Sequence, residues 1–389
     1  MQTTDTPALG TANPLAPLFT PLSIGSLTLP NRIVMSPMTR GCATDGVIPA
    51  EAVDYYRRRA EGGTGLIITE GIAVNLDGTL DQTIPRLDCE ASRMAWRAVT
   101  DAVHQAGAKI IAQLWHTGLM RGMQSGEAGD EGRRLGPSAV YPIIDGQGET
   151  VSVFAEGEAM SRADIARTIA DCATFARRAE EAGFDGVEIH GAHGYLFDEF
   201  FWDKTNRRDD EYNGDIAART RFTTETIAAI RAATSPGFVI GLRFSQWKNP
   251  AEHYPIKLVR DPAELAAFLK PLVAAGIDFF DCSTRRYWEP AFAGSDKSLA
   301  QWTQELSGKP AMAVGSITVS LPLNTRDIGE TAAVADNLAP LAALVDAGRI
   351  DLVGVGRAVI ANPDWANVVR ASGIAGLRPY EQSQLLELY

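Results

Sequence analysis

Three of the five histidines in this chain, His116, His190 and His193, stand at the ends of short apolar runs. Two of them share the segment His190-Gly191-Ala192-His193-Gly194-Tyr195 with a tyrosine. Imidazoles can hydrogen bond a carbonyl oxygen, ligate a metal or move protons near neutral pH. A phenol with an ordinary pKa of about 10 is a competent acid at that pH. Capping of strand ends is the plain role for one such histidine, and two beside a tyrosine point to chemistry. In a zinc site, His190 and His193 would need Glu188 or Asp198 to complete the shell. His-x-x-His at a strand exit lacks the same-face logic of a helical H-E-x-x-H, however, and no third histidine or cysteine pair lies nearby. Two glycine-bearing turns, Val314-Gly315-Ser316 and Gly354-Val355-Gly356-Arg357, add a different chemistry. Glycine lets backbone approach an anion such as phosphate, and Arg357 supplies a cation that can bind bidentately.

These residues must be held by elements, and the chain alternates helical and strand patterns. Ser161 with Asp164 reads as a helix start, and Ile165, Ile169, Cys172, Ala176 and Ala179 form one apolar stripe up to Gly183. A second helix runs from Asp261-Pro262 to Gly276. The endings Ala106-Gly107, Ala182-Gly183, Ala275-Gly276 and Ala347-Gly348 each close a helix and open an apolar run. Such a recurrence means one strand–helix unit used repeatedly. The expected strands are residues 32–36, 66–70, 109–114, 186–190, 238–244, 277–283, 311–315 and 351–356. Most are continuous apolar runs, as parallel strands buried on both faces are.

Eight such units predict an α/β fold, a (β/α)8 TIM barrel, in which chemistry collects at the C-terminal ends of the strands. Ser36-Pro37-Met38-Thr39-Arg40, Thr69-Glu70-Gly71, Gln113-Leu114-Trp115-His116 and Arg243 all fall there. No G-x-G-x-x-G supports an open doubly wound sheet. Ile24-Gly25-Ser26-Leu27 is expected to form a hairpin over the N-terminal mouth, and the loop-rich insertion 118–160 to lie above the other face. Residues 1–17 are expected as a polar tail, 18–375 as one barrel domain and 376–389 as a C-terminal tail.

The 389 residues are 45% hydrophobic and 22% charged, enough for a large core, so a disordered chain is excluded. The net charge of −12 argues against nucleic acid or an anionic membrane as partner. No apolar run is long enough for a membrane span, and the N-terminus has no secretory pattern. The scattered cysteines Cys42, Cys89, Cys172 and Cys282 suit a reduced, cytoplasmic protein.

Taken in order, these motifs resemble those of the Old Yellow Enzyme family, FMN-dependent NADH/NADPH:flavin oxidoreductases and ene-reductases, including its 12-oxophytodienoate reductase-like members. The resemblance is carried by Asn31–Arg40, Thr69–Gly71, Gln113–His116, His190–Tyr195, Gly241–Arg243 and Gly356-Arg357, and extends from about Pro17 to Asn362. It implies that Pro37, Met38 and Thr39 lie along the isoalloxazine and that Gly71 offers backbone to it. Gln113 would meet the pyrimidine edge, with Arg243 by N1 and O2, where a cation stabilises reduced flavin. Gly315, Ser316, Gly356 and Arg357 would hold the phosphate. His190 and His193 would bind the carbonyl oxygen of an activated alkene, and Tyr195 would be the proton donor. Trp115 and Tyr287 would complete the substrate pocket, the latter from the wall formed by Asp281–Pro290.

The implied activity is ping-pong reduction of the C=C bond of α,β-unsaturated carbonyl compounds: NADPH or NADH reduces FMN, then hydride passes from N5 to Cβ. Two alternatives remain at this point. One is an FMN-dependent dehydrogenase or demethylase of an amine or alcohol, with Tyr287-Trp288 as an aromatic cage; the other is a metal-dependent barrel hydrolase. A small-molecule substrate is implied in each case, and the sequence decides neither monomer nor homo-oligomer.

Overall fold

Helix boundaries follow their caps. Ser161 accepts from the Asp164 amide while the Asp164 carboxylate accepts from the Ser161 amide, closing a reciprocal box at the start of the Arg162–Glu181 helix. Asp261 caps the Pro262–Ala274 helix by accepting from Ala263 and Glu264. The recurrent Ala-Gly endings are left-handed turns: Gly107, Gly183, Gly276 and Gly348 all have positive φ, between 62° and 98°. A side chain there would be strained, so glycine ends the helix and turns the chain into the next strand.

In this computed structural model, residues 13–121, 132–144, 149–154, 157–248, 257–321 and 331–389 are described. Eight parallel strands close into a barrel: Ile33–Met35, Leu66–Ala73, Lys109–Trp115, Gly186–His193, Val239–Lys248, Phe279–Ser283, Ala311–Val314 and Leu352–Val355. Each matches an expected strand, and the second, fourth and fifth run three or four residues further toward the C-terminal face. Their near-complete burial explains the continuous apolar runs, because helices cover the outside and packed side chains fill the axis.

Below, the strands Leu22–Ile24 and Leu27–Leu29 pair antiparallel around Gly25-Ser26. Ile24, Leu27 and Leu29 pack with Val34, Leu66, Ile111, Phe279 and Leu352, plugging the N-terminal mouth. The axis is filled by alternating sizes: a Cβ at Gly241 would lie 2.3 Å from the Phe279 ring. The hairpin therefore seals one end and leaves the other open.

The insertion after the third strand contributes a short hairpin, Tyr141–Ile144 with Thr150–Phe154, but parts of 118–160 lie outside the described residues, as do residues 1–12 of the expected N-terminal tail. Residues 376–389, expected as a tail, instead pack back on the barrel. Tyr380–Glu381 pairs with Thr331–Ala332, and the Arg40 guanidinium donates to the carbonyls of Gln384, Leu385 and Glu387. A buried guanidinium whose Nη2 is held by backbone carbonyls fixes a segment that hydropathy alone leaves unplaced. Among the described residues, no helix is long and apolar enough to cross a membrane.

Candidate active site

The strand exits open into a cavity of about 510 Å³, within the size range of small-molecule sites. Pro37, Met38 and Thr39 line it from the first strand's exit, and Gln113 and Trp115 from the third. His190, His193 and Tyr195 enter from the fourth, and Arg243 from the fifth. Gly315 and Ser316 follow the seventh strand, and Gly356 and Arg357 the eighth. The tertiary fold thus gathers residues as far apart as Pro37 and Leu385, 348 positions, around one space.

Two expected residues stand apart from that lining. At Gly71 a Cβ would lie 2.5 Å from the Trp115 ring, so this glycine makes room for the indole that does reach the cavity. Tyr287 is only 3% exposed, and its hydroxyl donates to the Asn337 carbonyl. Its place is the packing behind the wall. Trp288 is 45% exposed, and the pair does not form a cage facing the cavity. His116 is also buried away from it: Nδ1 accepts from the Gly118 amide at 3.2 Å, and burial pushes its pKa down to about 3.

The fourth-strand exit is a strained turn held from several sides. His193 has φ +65°, a conformation uncommon for a residue with a side chain, and Gly194 follows at +83°. The His193 amide donates to Ser245 Oγ at 3.1 Å, and the Gly194 amide to Asp198 Oδ2 at 2.7 Å. This turn sets the His190 ring 5.1 Å from that of His193 and 4.9 Å from Tyr195, both edge-on. Trp115 packs edge-on to Tyr195 at 5.1 Å, and Trp247 stacks on His193 at 4.3 Å. Burial, reinforced at His190 by Arg243 and at His193 by His190 and nearby cations, holds both imidazoles well below the ordinary histidine value. They are neutral at physiological pH, each with one N–H to give.

Asp198 is itself paired with Lys248, and both are essentially excluded from solvent. Burial raises the carboxyl and lowers the ammonium, and their mutual attraction opposes both shifts. Lys248→Met should cost about 3–5 kcal/mol of stability, because it leaves the Asp198 charge buried without a partner. Adding Asp198→Asn should recover most of the loss while keeping an acceptor for Gly194. Urea unfolding of the single and double variants measures both, and equal midpoints for the two would refute the pairing.

The inner wall is a second buried ionic group. Arg243 donates to the Asp281 carboxylate and, at 3.2 Å, to Ser283 Oγ. Gln113 Nε2 donates to Glu188 Oε1 at 2.8 Å. Burial pushes Glu188 and Asp281 upward, and Arg243 pulls both back. Glu188 and Asp198, the residues a zinc site would borrow, are therefore committed to Gln113 and Lys248. Among the described residues, no group of three or more His, Cys, Asp or Glu side chains is placed to hold a metal.

Several lining residues carried no sequence signal of their own. Trp247 follows from extending the fifth strand beyond 244, whereas Ser283 ends the expected sixth strand and lies with Arg285 in the expected wall 281–290 without being singled out there. The Arg285 guanidinium lies 4.2 Å over the Trp247 ring, which itself stacks on His193. Tyr380, Gln382 and Leu385 come from the returning C-terminal segment, whose position depends on the Arg40 contacts.

The seventh-strand exit is shaped by backbone. Gly315 has φ +134°, and a Cβ there would lie 2.6 Å from the Thr284 carbonyl oxygen. A cavity lined by Arg243, Arg285 and Arg357, with glycine turns at the seventh and eighth strand exits, suits a phosphate-bearing cofactor with a planar head. The chain belongs to the NADH:flavin oxidoreductase / NADH oxidase family, which it matches over residues 17–373. It is similar to the flavin oxidoreductase hxnT of Emericella nidulans, 37% identical over 261 residues, 63% of this chain and 66% of that protein. The 12-oxophytodienoate reductase 1 of Oryza sativa subsp. japonica is 31% identical over 359 residues, 92% of this chain and 87% of that protein. Among solved structures, morphinone reductase in complex with tetrahydroNAD superposes with a TM-score of 0.74 at 26% identity, covering 95% of this chain and 93% of that one. The match to hxnT spans just under two thirds of that protein's length.

The residues present fit FMN. Arg243, 7% exposed, presents its guanidinium to the cavity beside Gln113, where a pyrimidine edge would lie. Gly315, Ser316, Gly356 and Arg357 line the cavity from the exits of two neighbouring strands and would hold the phosphate, and a Cβ at Gly356 would lie 3.6 Å from Met38 Sδ, so Pro37, Met38 and Thr39 adjoin them.

Proposed function

We propose that this protein is an FMN-dependent NAD(P)H oxidoreductase that reduces the C=C bond of α,β-unsaturated carbonyl compounds. The observation that carries the reading is the pair of neutral imidazoles held beside a phenol at the edge of a flavin-sized cavity. Bound FMN would supply hydride chemistry, taking hydride from NADH or NADPH and giving it to the alkene. His190 and His193 receive the carbonyl oxygen. Hydrogen bonds into that oxygen stabilise the charge that develops there as Cβ is attacked. Tyr195 protonates Cα. Trp115 and Trp247 wall the site and limit water, which strengthens these hydrogen bonds. Relatives named as reductases of 12-oxophytodienoate and of morphinone, the latter in complex with tetrahydroNAD, support this direction of reaction. The alternative oxidative role on amines leaned on an aromatic cage at Tyr287-Trp288, and those rings do not meet in the cavity. Four free cysteines and the acidic balance favour a cytoplasmic enzyme of small molecules.

The test is direct. The purified protein should be yellow, bleach anaerobically with NADH or NADPH, and regain its colour with cyclohexenone. A colourless, zinc-containing protein would overturn the reading, as would a bleached protein that responds to an amine and acceptor but not to the enone.

A further inference from the structure

Ser283 ends the sixth barrel strand and touches both halves of the site. Its Oγ accepts from Arg243 Nη2 at 3.2 Å and lies 2.8 Å from His193 Nε2. A guanidinium only donates, so the Arg243 contact occupies a lone pair of the hydroxyl and leaves its proton free. Donation by a positively charged group also polarises the hydroxyl and makes it a better donor in turn. The nearest use of that proton is the lone pair of His193 Nε2. A neutral imidazole carries one N–H, and which nitrogen bears it is set by the hydrogen bond at the other.

We propose that Ser283 is a positioning residue that fixes the tautomer of His193. By donating to Nε2 it places the ring proton on Nδ1, where a substrate oxygen can accept it. The inference rests on the proposed role of His193 as an oxygen-binding group. It adds a cause for the direction in which that histidine donates.

The surrounding contacts favour one arrangement. Arg243 is held on its far side by Asp281, which orients the guanidinium so that its other arm meets Ser283. Trp247 stacks on the His193 ring and resists a flip that would exchange its nitrogens. Burial and nearby cations disfavour a doubly protonated ring. Among the described residues, the Ser283 hydroxyl is the side-chain hydrogen-bonding group that meets a ring nitrogen of His193, and so sets Nδ1 apart from Nε2.

Histidine labelled with ¹⁵N in the ring gives the measurement, since long-range correlations separate the two tautomers and the chain has only five histidines. In the purified protein with its cofactor, His193 should be the Nδ1–H form. Ser283→Ala should yield a mixture or the Nε2–H form, and should weaken a bound phenolate about five- to tenfold, the worth of one ordinary hydrogen bond. Ser283→Thr retains the hydroxyl and should restore both. A wild-type spectrum with the proton on Nε2 overturns the proposal without any variant, and so does an unchanged tautomer in Ser283→Ala. If His193 is Nδ1–H yet the protein neither binds flavin nor reduces an enone, the proposed function fails and the tautomer assignment stands.

Discussion

Replacing Tyr195 with Phe should slow reoxidation of the reduced enzyme by an enone about 10²- to 10⁴-fold, the usual worth of a positioned general acid. The change removes one oxygen and keeps the ring that packs on Trp115 and His190. FMN content and reduction by NAD(P)H should therefore change little, because the phenol lies among the substrate groups rather than at the glycine turns. A quinone or a strongly activated nitroalkene should reoxidise the variant with a much smaller penalty, since solvent can protonate those products. Stopped-flow measurement of the two half-reactions separates these outcomes. Enone reoxidation at the parent rate would mean that the proton comes from elsewhere and Tyr195 only walls the pocket.

The second large effect belongs to the histidine pair. A phenol such as 4-hydroxybenzaldehyde should bind as its phenolate, with the oxyanion between His190 and His193 and the ring over the flavin, giving a long-wavelength charge-transfer band. Each hydrogen bond to a charged oxygen is worth about 1.5–3 kcal/mol. The double variant His190→Ala, His193→Ala should thus lose affinity by roughly 10²- to 10⁴-fold, and with it the band at accessible concentrations. Titration of the ligand against both proteins decides the point; equal affinity would reduce the two histidines to strand caps. The pH behaviour has a definite sign. Both imidazoles titrate below the ordinary value of about 6.5, so no histidine step should appear in phenolate binding near neutrality. Their contribution to stability is complete above that value and is lost as pH falls toward the depressed folded-state values.

The sequence by itself determined the barrel. Eight continuous apolar runs, the Ala-Gly helix endings and the Ser161 and Asp261 caps are local signals, because helix ends and doubly buried strands are fixed by residues adjacent in the chain. It also placed His190, His193, Tyr195 and Arg243 at strand exits, which periodicity locates, and all four line the cavity. Only the tertiary structure decided what those groups touch. Gly71 yields its space to Trp115 of the neighbouring strand, and Tyr287 turns from its loop into the packing, because what a residue meets there depends on neighbours far away in sequence. The Asp198–Lys248 pair, the Asp281–Arg243–Ser283–His193 chain and the return of residues 380–389 over the cavity each join segments separated by at least 38 positions. Contacts of that range carry no period and no fixed spacing; they exist only once the barrel has closed.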